Sequence, residues 1–299
     1  MKEFLNIWSN GIIFKSMKKN WETYYLYHEG HADQVLKEIV HPAIDEVQYK
    51  LKKIVKFFFI RYFENGYHIR LRFLLSPEES PLFRSLLTHQ ISDSGIKIIL
   101  KEAQYIPETE RYGNSDTIVY AENQFYASSY FILNQLTENI PLTVSERYSI
   151  ALNTHLAFFK GMGLSYEYSL QLCDKFVESW LPIPVSFDAN EKEQYKESLL
   201  SAFQRQFDLY KDSLYKNAIN FWNLADTSRD PFTLQFIETN REVNKKYTDS
   251  HLPAEAIDEA LLSFIHMTNN RIGIINSEES YLLFLVRQTI TLIKNYDHQ

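Results

Sequence analysis

Apolar and polar positions along this chain follow two different periods, and the period changes near residue 110. Trp21 to Tyr27 (WETYYLY) is rich in β-forming side chains and stops before Gly30, so it predicts a strand. Residues 32–53 place Val35, Leu36, Ile39, Val40, Ile44, Val47 and Leu51 at spacings of three and four. That is one apolar helical stripe, with Pro42 expected to break or kink it. Residues 55–62 and 67–74 read as two more strands, separated by Phe63-Glu64-Asn65-Gly66, a hairpin with a glycine-bearing turn. A helix is expected over 80–91 after Pro77, and a strand over 97–106 that ends at Pro107.

Beyond Tyr112-Gly113 the signals are almost wholly helical. Ser115 or Asp116 is the expected cap of a helix reaching Leu136, and Pro141 and Thr143 open another that Gly161 and Gly163 stop. Further helices are expected at 165–179, 190–222, 231–247, 254–268 and 277–295, with Leu181 to Phe187 the most linker-like point. The strand-helix order of the first third, β-α-β-β-α-β, is that of a ferredoxin-like split unit. The fold class is therefore α+β. One domain over 1–299 is expected, made of a sheet unit at about 18–112 and a helical half at 113–299.

Composition narrows the chemistry. Eight Gly, none in a GxGxxG or GxxxxGK[ST] pattern, argue against the usual dinucleotide and P-loop cradles. The single cysteine, Cys173, excludes a disulfide framework and a thiolate cluster, and its helical stripe predicts an inert core thiol. A net charge of -7 argues against direct nucleic-acid binding, which needs a basic surface. The N-terminal apolar pieces are interrupted by Glu3, Asn10, Lys15 and Lys18, so no signal peptide is expected. No apolar run is long enough to span a membrane, and a cytoplasmic protein is the expectation.

Three pieces carry candidate chemistry. In the strand 67–74 the period of two puts Tyr67, Ile69, Leu71 and Phe73 on one face and His68, Arg70, Arg72 and Leu74 on the other. Arg61 in the preceding strand is expected to join the two arginines across the hairpin. A guanidinium fork suits a carboxylate, while the plainer reading is a solvated face whose Arg stems cover aromatic rings. The second piece is Pro107-Glu108-Thr109-Glu110-Arg111-Tyr112-Gly113, at the join of the two halves; it reads either as functional or as a charged turn. The third ends the 254–268 helix. His266 and Asn270 share a face there, with Arg271 beside them. Imidazole is the usual proton carrier at neutral pH, and a nearby Arg would keep it neutral. The alternative is dipole partners at a helix end closed by Gly273. His28 and His31 make no metal site by spacing alone, and Ser128-Ser129 lacks a hydrolase elbow.

Taken in order, FFIRY (58–62), HIRLRF (68–73), Glu108-x-Glu110-Arg111-Tyr112-Gly113 and His266-Met267-x-x-Asn270-Arg271 resemble the C-terminal domain of lantibiotic dehydratases. The same domain also occurs alone as the thiopeptide-type bacteriocin biosynthesis protein. Trp21-x-x-Tyr24-Tyr25-x-Tyr27 and Ala121-Glu122-x-x-Phe125-x-x-Ser128-Ser129 fit the same pattern. The resemblance covers roughly residues 18–295, and its one departure is Asn114, where members often have a second glycine; Asn tolerates positive φ.

The resemblance implies elimination of glutamate from glutamylated Ser or Thr of a precursor peptide, leaving dehydroalanine or dehydrobutyrine. Its elimination residues map onto Arg70, Arg72, Glu108, Arg111 and His266. Arg61, His68, Asn270 and Arg271 are expected to bind substrate around them. The arginines would hold glutamate and the developing anion. His266 would act as base or as acid to the leaving group, and Glu108 would orient an Arg or serve as the base. The chain is short for the glutamylating region, so the expected partners are a glutamylated precursor peptide and a separate tRNA-dependent glutamylating subunit. A lanthionine cyclase and a second copy of the chain are further expected partners. No metal or organic cofactor is implied. Two other readings follow. Pyridine synthases of the same family perform a formal [4+2] cycloaddition but generally lack the elimination set. A non-catalytic subunit would merely present the precursor peptide.

Overall fold

Strand β3 (His68–Leu75) organises the N-terminal unit, because both its neighbours and both its faces are used. The computed structural model describes residues 19–138, 142–227 and 230–297. The N-terminal stretch read for a targeting signal, and Pro141, lie outside them. β3 pairs antiparallel with β2 (Phe57–Tyr62) and with β1 (Asn20–His28), and β1 pairs antiparallel with β4 (Ile98–Gln104). The order β2-β3-β1-β4 is the one the split βαββαβ unit requires.

The alternation along β3 sorts the sheet into two chemically different faces. Ile69, Leu71 and Phe73 are fully buried, facing Tyr24 and Leu26 of β1 and Phe57 and Phe59 of β2 through the strand register. Phe83 of α3 (Ser80–Ser94) packs on this face against Tyr24 and Phe73. Each such side chain contributes roughly 1.5–3 kcal/mol by leaving water. Tyr67 departs from the expected alternation, since it sits in the turn and is exposed. The other face carries His68, Arg70 and Arg72, flanked by Thr23, Tyr25 and Tyr27 of β1 and by Phe58, Ile60 and Tyr62 of β2.

The first expected helix is one helical path in three pieces: α1 (Ala32–Val35), a π-helical turn (Leu36–Val40) and α2 (His41–Leu51). The register slips immediately before Pro42, which has no N–H to continue the α-helical ladder.

Seven helices of the described residues follow: α4 (Ile118–Glu138), α5 (Val144–Met162), α6 (Tyr166–Trp180), α7 (Ala189–Leu224), α8 (Pro231–Thr248), α9 (Ala254–Ile272) and α10 (Asn276–Asp297). None of the described helices is long and apolar enough to cross a membrane. Thr143 and Glu146 form a capping box on α5, as do Asp188 and Glu191 on α7. The start of α4 differs from expectation. Asn114, not Ser115 or Asp116, turns the chain, because its side chain accepts from the N–H groups of Asp116 and Thr117. Cys173 is buried in the core, as its stripe predicts. α9 lies between the sheet unit and the rest of the helical half, touching β2, α4, α5 and α6. Its C-terminal turn therefore meets the polar face of the sheet.

Candidate active site

Five chain segments converge on one open cleft of about 210 Å³. Its walls include Arg70 and Arg72 from β3, Glu108 and Arg111 from the loop after β4, and His266, Asn270 and Arg271 from α9. Residues 196 positions apart in sequence, Arg70 and His266, thus line the same space.

The arginines of β3 are held by aromatic rings rather than by acids. The Arg72 guanidinium lies 5.1 Å from the Phe58 ring and 5.0 Å from the Tyr105 ring, and its Nε is buried without a hydrogen-bond partner. Burial pushes its pKa below the usual guanidinium value, with Tyr105 and Tyr25 working in the opposite sense. Arg70 lies 3.4 Å above the Tyr62 ring and 4.9 Å from that of Tyr25. Its Nε donates to Nε2 of His68 at 3.2 Å. Among the described residues, neither arginine has a carboxylate within ion-pair distance. Cation–π contact stabilises the charges without neutralising them.

Arg111 comes from a single 3-10 turn (Glu110–Tyr112) anchored from below. Tyr112 stacks on Phe264 of α9, and its carbonyl accepts from Thr117 Oγ1 and the Tyr247 hydroxyl. Arg111 Nε donates to Ser263 Oγ at 2.9 Å, and its NH1 reaches Glu108 at 3.3 Å. Gly113 ends the turn at φ +103, where an added Cβ would meet Leu252 Cδ1 at 2.5 Å and Thr117 Oγ1 at 2.6 Å. Gly113→Ala is therefore expected to cost about 1–3 kcal/mol, read from thermal or denaturant unfolding. Activity should fall further than the folded fraction, because the strained turn carries Arg111.

His266 is fixed from two sides. Trp180 of α6 stacks on its ring at 4.3 Å between centroids and 18° between planes. Its Nδ1 lies 3.1 and 3.0 Å from the two oxygens of Glu279, a fully buried carboxylate on α10. A carboxylate only accepts, so this contact calls for a proton on Nδ1, and in the neutral tautomer Nε2 is then the acceptor. The expected arginine neighbour is not what governs this histidine. Arg271 turns away, its Nε donating to Phe59 O at 3.0 Å and Ser129 Oγ at 2.9 Å, with its side chain wholly buried.

Arg61 borders the cleft, but its side chain does not join Arg70 and Arg72 on their face. It pairs with Ile69 in the register, and a strand's side chains alternate, so it points to the opposite side. There it forms an ion pair with Asp33 at 2.6 Å and donates to the carbonyl of Arg271. Asn270 borders the cleft, but its amide is closed on the N–H and C=O of Arg61 at 2.8 and 2.9 Å. His68 lies outside the cleft wall, stacked on Tyr27 at 4.4 Å, where it supports Arg70.

Glu279 and Trp180 escape the reading of the sequence, Ser263 has no role in it, and Tyr62 and Tyr25 stand in its motifs without their role at Arg70. Glu279 left one legible trace. It occupies a position on the apolar stripe that continues as Leu283, Val286 and Ile290, where a carboxylate is out of place. The Glu122 motif also finds its reason, since Glu122 accepts from Trp21 and from Tyr105, whose ring lies 5.0 Å from the Arg72 guanidinium.

The profile of the family described as lantibiotic biosynthesis dehydratase C-term matches residues 21–290. The chain belongs to this family. No curated protein matches it significantly by sequence. Among solved structures, this family member is similar to the tRNA-dependent lantibiotic dehydratase MibB from Microbispora sp. 107891, with 18% identity and a TM-score of 0.66. That match covers 93% of this chain but only 28% of MibB. It is similar to the pyridine synthase TbtD from thiomuracin biosynthesis, with 12% identity and a TM-score of 0.68, over 92% of this chain and 99% of TbtD. TsrL matches with 13% identity and a TM-score of 0.59, over 92% of this chain and 98% of TsrL. The fold of this lantibiotic dehydratase C-terminal family member is thus found both as part of a larger dehydratase and as a chain of its own length.

Proposed function

We propose that this chain is the glutamate elimination subunit of a split lantibiotic-type dehydratase. Its substrate is a precursor peptide already glutamylated on Ser or Thr by a separate tRNA-dependent subunit. The observation that carries this reading is the pair Arg70 and Arg72: two guanidiniums with no carboxylate of the described residues within ion-pair distance, lining the same cleft as His266. A leaving glutamate supplies the missing carboxylates.

β-Elimination needs three things. A base removes the α-proton, donors stabilise the charge that develops on the adjacent amide oxygen, and the leaving carboxylate is held as it departs. His266 Nε2 takes the proton. The C–H electron pair becomes the Cα=Cβ bond, and the Cβ–O pair departs with glutamate. Arg72 and Arg111 face the developing anion, and Arg70 holds the departing carboxylate. Glu108, on Arg111, orients that guanidinium. The peptide on either side of the reacting residue runs toward a wider groove of about 790 Å³ that shares Arg61, Tyr62 and Asn270 with the cleft and exposes Phe63, Tyr67 and Ile275. A cytoplasmic setting, where the precursor is made, follows from this role.

The test supplies synthetic glutamylated peptide to the purified protein. Free glutamate and a dehydrated product are expected. Joining of two dehydroalanines without glutamate release would identify a pyridine synthase instead, and binding without turnover would identify a presenting subunit.

A further inference from the structure

Behind His266 lies a chain of buried polar groups that the core has no structural need to contain. Glu279 accepts a second hydrogen bond, from Asn269 Nδ2 at 3.0 Å. Asn269 Oδ1 lies 2.6 Å from Nε2 of His155 on α5. Glu279, Asn269 and His155 are all at or within 1% of complete burial. Four side chains from α5, α9 and α10 are thus strung from the interior to the cleft.

The donor sense of this chain is forced. A carboxylate is acceptor only, so Asn269 must turn its NH₂ to Glu279 and its oxygen to His155. His155 must then donate from Nε2, which leaves Nδ1 as a bare acceptor. That atom is the one in the ring with no partner. Burial pulls the His155 pKa down to about 4, so the ring is neutral near pH 7, as a single-donor role requires. Every donor in the chain points toward the cleft end, except the last, where His266 donates back to the carboxylate.

We propose that Glu279, oriented by Asn269 and His155, is the positioning residue that keeps the proton of neutral His266 on Nδ1 and its lone pair on Nε2 in the cleft. The inference rests on the elimination reading only for its kinetic consequence. The tautomer itself is a property of the folded protein.

Glu279→Gln tests it sharply because it preserves shape. Asn269 still donates, so it selects the Gln oxygen at the Oε2 position, 3.0 Å from His266 Nδ1, and places the Gln NH₂ at the Oε1 position, where it competes for that nitrogen at 3.1 Å. A donor there favours the Nε2–H tautomer, which has no lone pair to offer the substrate. With ¹⁵N-histidine labelling, NMR should show neutral His266 protonated on Nδ1 in the wild type and shifted toward Nε2–H in the variant. In the same variant, kcat for glutamate release should fall by about 10²-fold or more at neutral pH, with KM little changed.

Should Glu279→Gln fail to fold, His155→Gln and His155→Phe replace it. The first keeps an N–H for Asn269 and should retain the tautomer and the rate. The second should lose both in part. The proposal is overturned if wild-type His266 carries its proton on Nε2, if Glu279→Gln leaves the tautomer unchanged, or if the two His155 variants behave alike. A wild type with the expected tautomer but no glutamate release would sink the elimination reading and leave the positioning role standing.

Discussion

His266→Ala is expected to stop the reaction after substrate has bound, so that glutamylated peptide accumulates. In the proposed mechanism the ring supplies a proton acceptor that no other cleft residue replaces. Glu108 is occupied by Arg111, and Glu279 is sealed behind the ring. Loss of a positioned base costs about 10²–10⁴-fold in rate. The KM for glutamylated peptide should change little, because Arg70 and Arg72 remain. Mass spectrometry of the peptide after incubation reads this directly: the glutamyl adducts persist. Full dehydration by the variant would remove His266 from the site. Arg111→Ala should accumulate the same species, since the guanidinium held by Ser263 and Glu108 is the one proposed to face the developing anion.

Asp33→Ala should have the largest effect on stability. Its carboxylate bridges Arg61 of β2 at 2.6 Å and Arg147 of α5 at 2.5 Å. The two guanidiniums in turn donate to the carbonyls of Arg271 and Ile272 at the end of α9. This cluster ties the sheet unit to the helix that carries His266. Gly273 makes room for it: at φ +87, an added Cβ would lie 3.0 Å from Arg147 NH1. Removing one partner of such a pair leaves charges uncompensated and costs about 3–5 kcal/mol. Urea or thermal unfolding measures the loss.

The same pair gives a pH dependence. Burial raises the Asp33 pKa, but Arg61 and Arg147 outweigh it and hold the carboxyl below its ordinary value. A depressed carboxyl contributes its full stability above the unfolded pKa of about 3.9 and loses it as pH falls through the lower folded value. The wild type should therefore lose this contribution below about pH 4, and Asp33→Ala should show a flatter acid limb.

The element order could be read because local patterns decide it. The strand period of two in β3 and the spacings of three and four in the later helices depend on burying one face, and the observed boundaries differ by only a few residues. The largest boundary difference is in α9, which continues through His266, Asn270 and Arg271 to Ile272, because its last turns are buried against β2 and α4. Arg61 shows where local reading stops. Its residue type and proximity suggested a third arginine for the cleft, yet strand parity sends it to Asp33. Asn270 and Arg271 likewise belong to a motif that carries chemistry, but the Asn270 amide and the Arg271 Nε are used to join β2 to α9.

By itself the sequence determined the α+β class, the split sheet unit and the identity of the residues able to do acid–base and carboxylate chemistry. Periodicity and side-chain type are local properties, and local properties are written in order along a chain. The tertiary structure alone decided that Arg70, Arg72, Arg111 and His266 share one cleft, and that Arg70 and Arg72 there have no carboxylate of the described residues within ion-pair distance. It alone set Glu279 behind His266. Those are statements about distances between segments far apart in sequence, and they are set by how α9 and α10 pack onto the sheet, which no single stretch of the chain encodes.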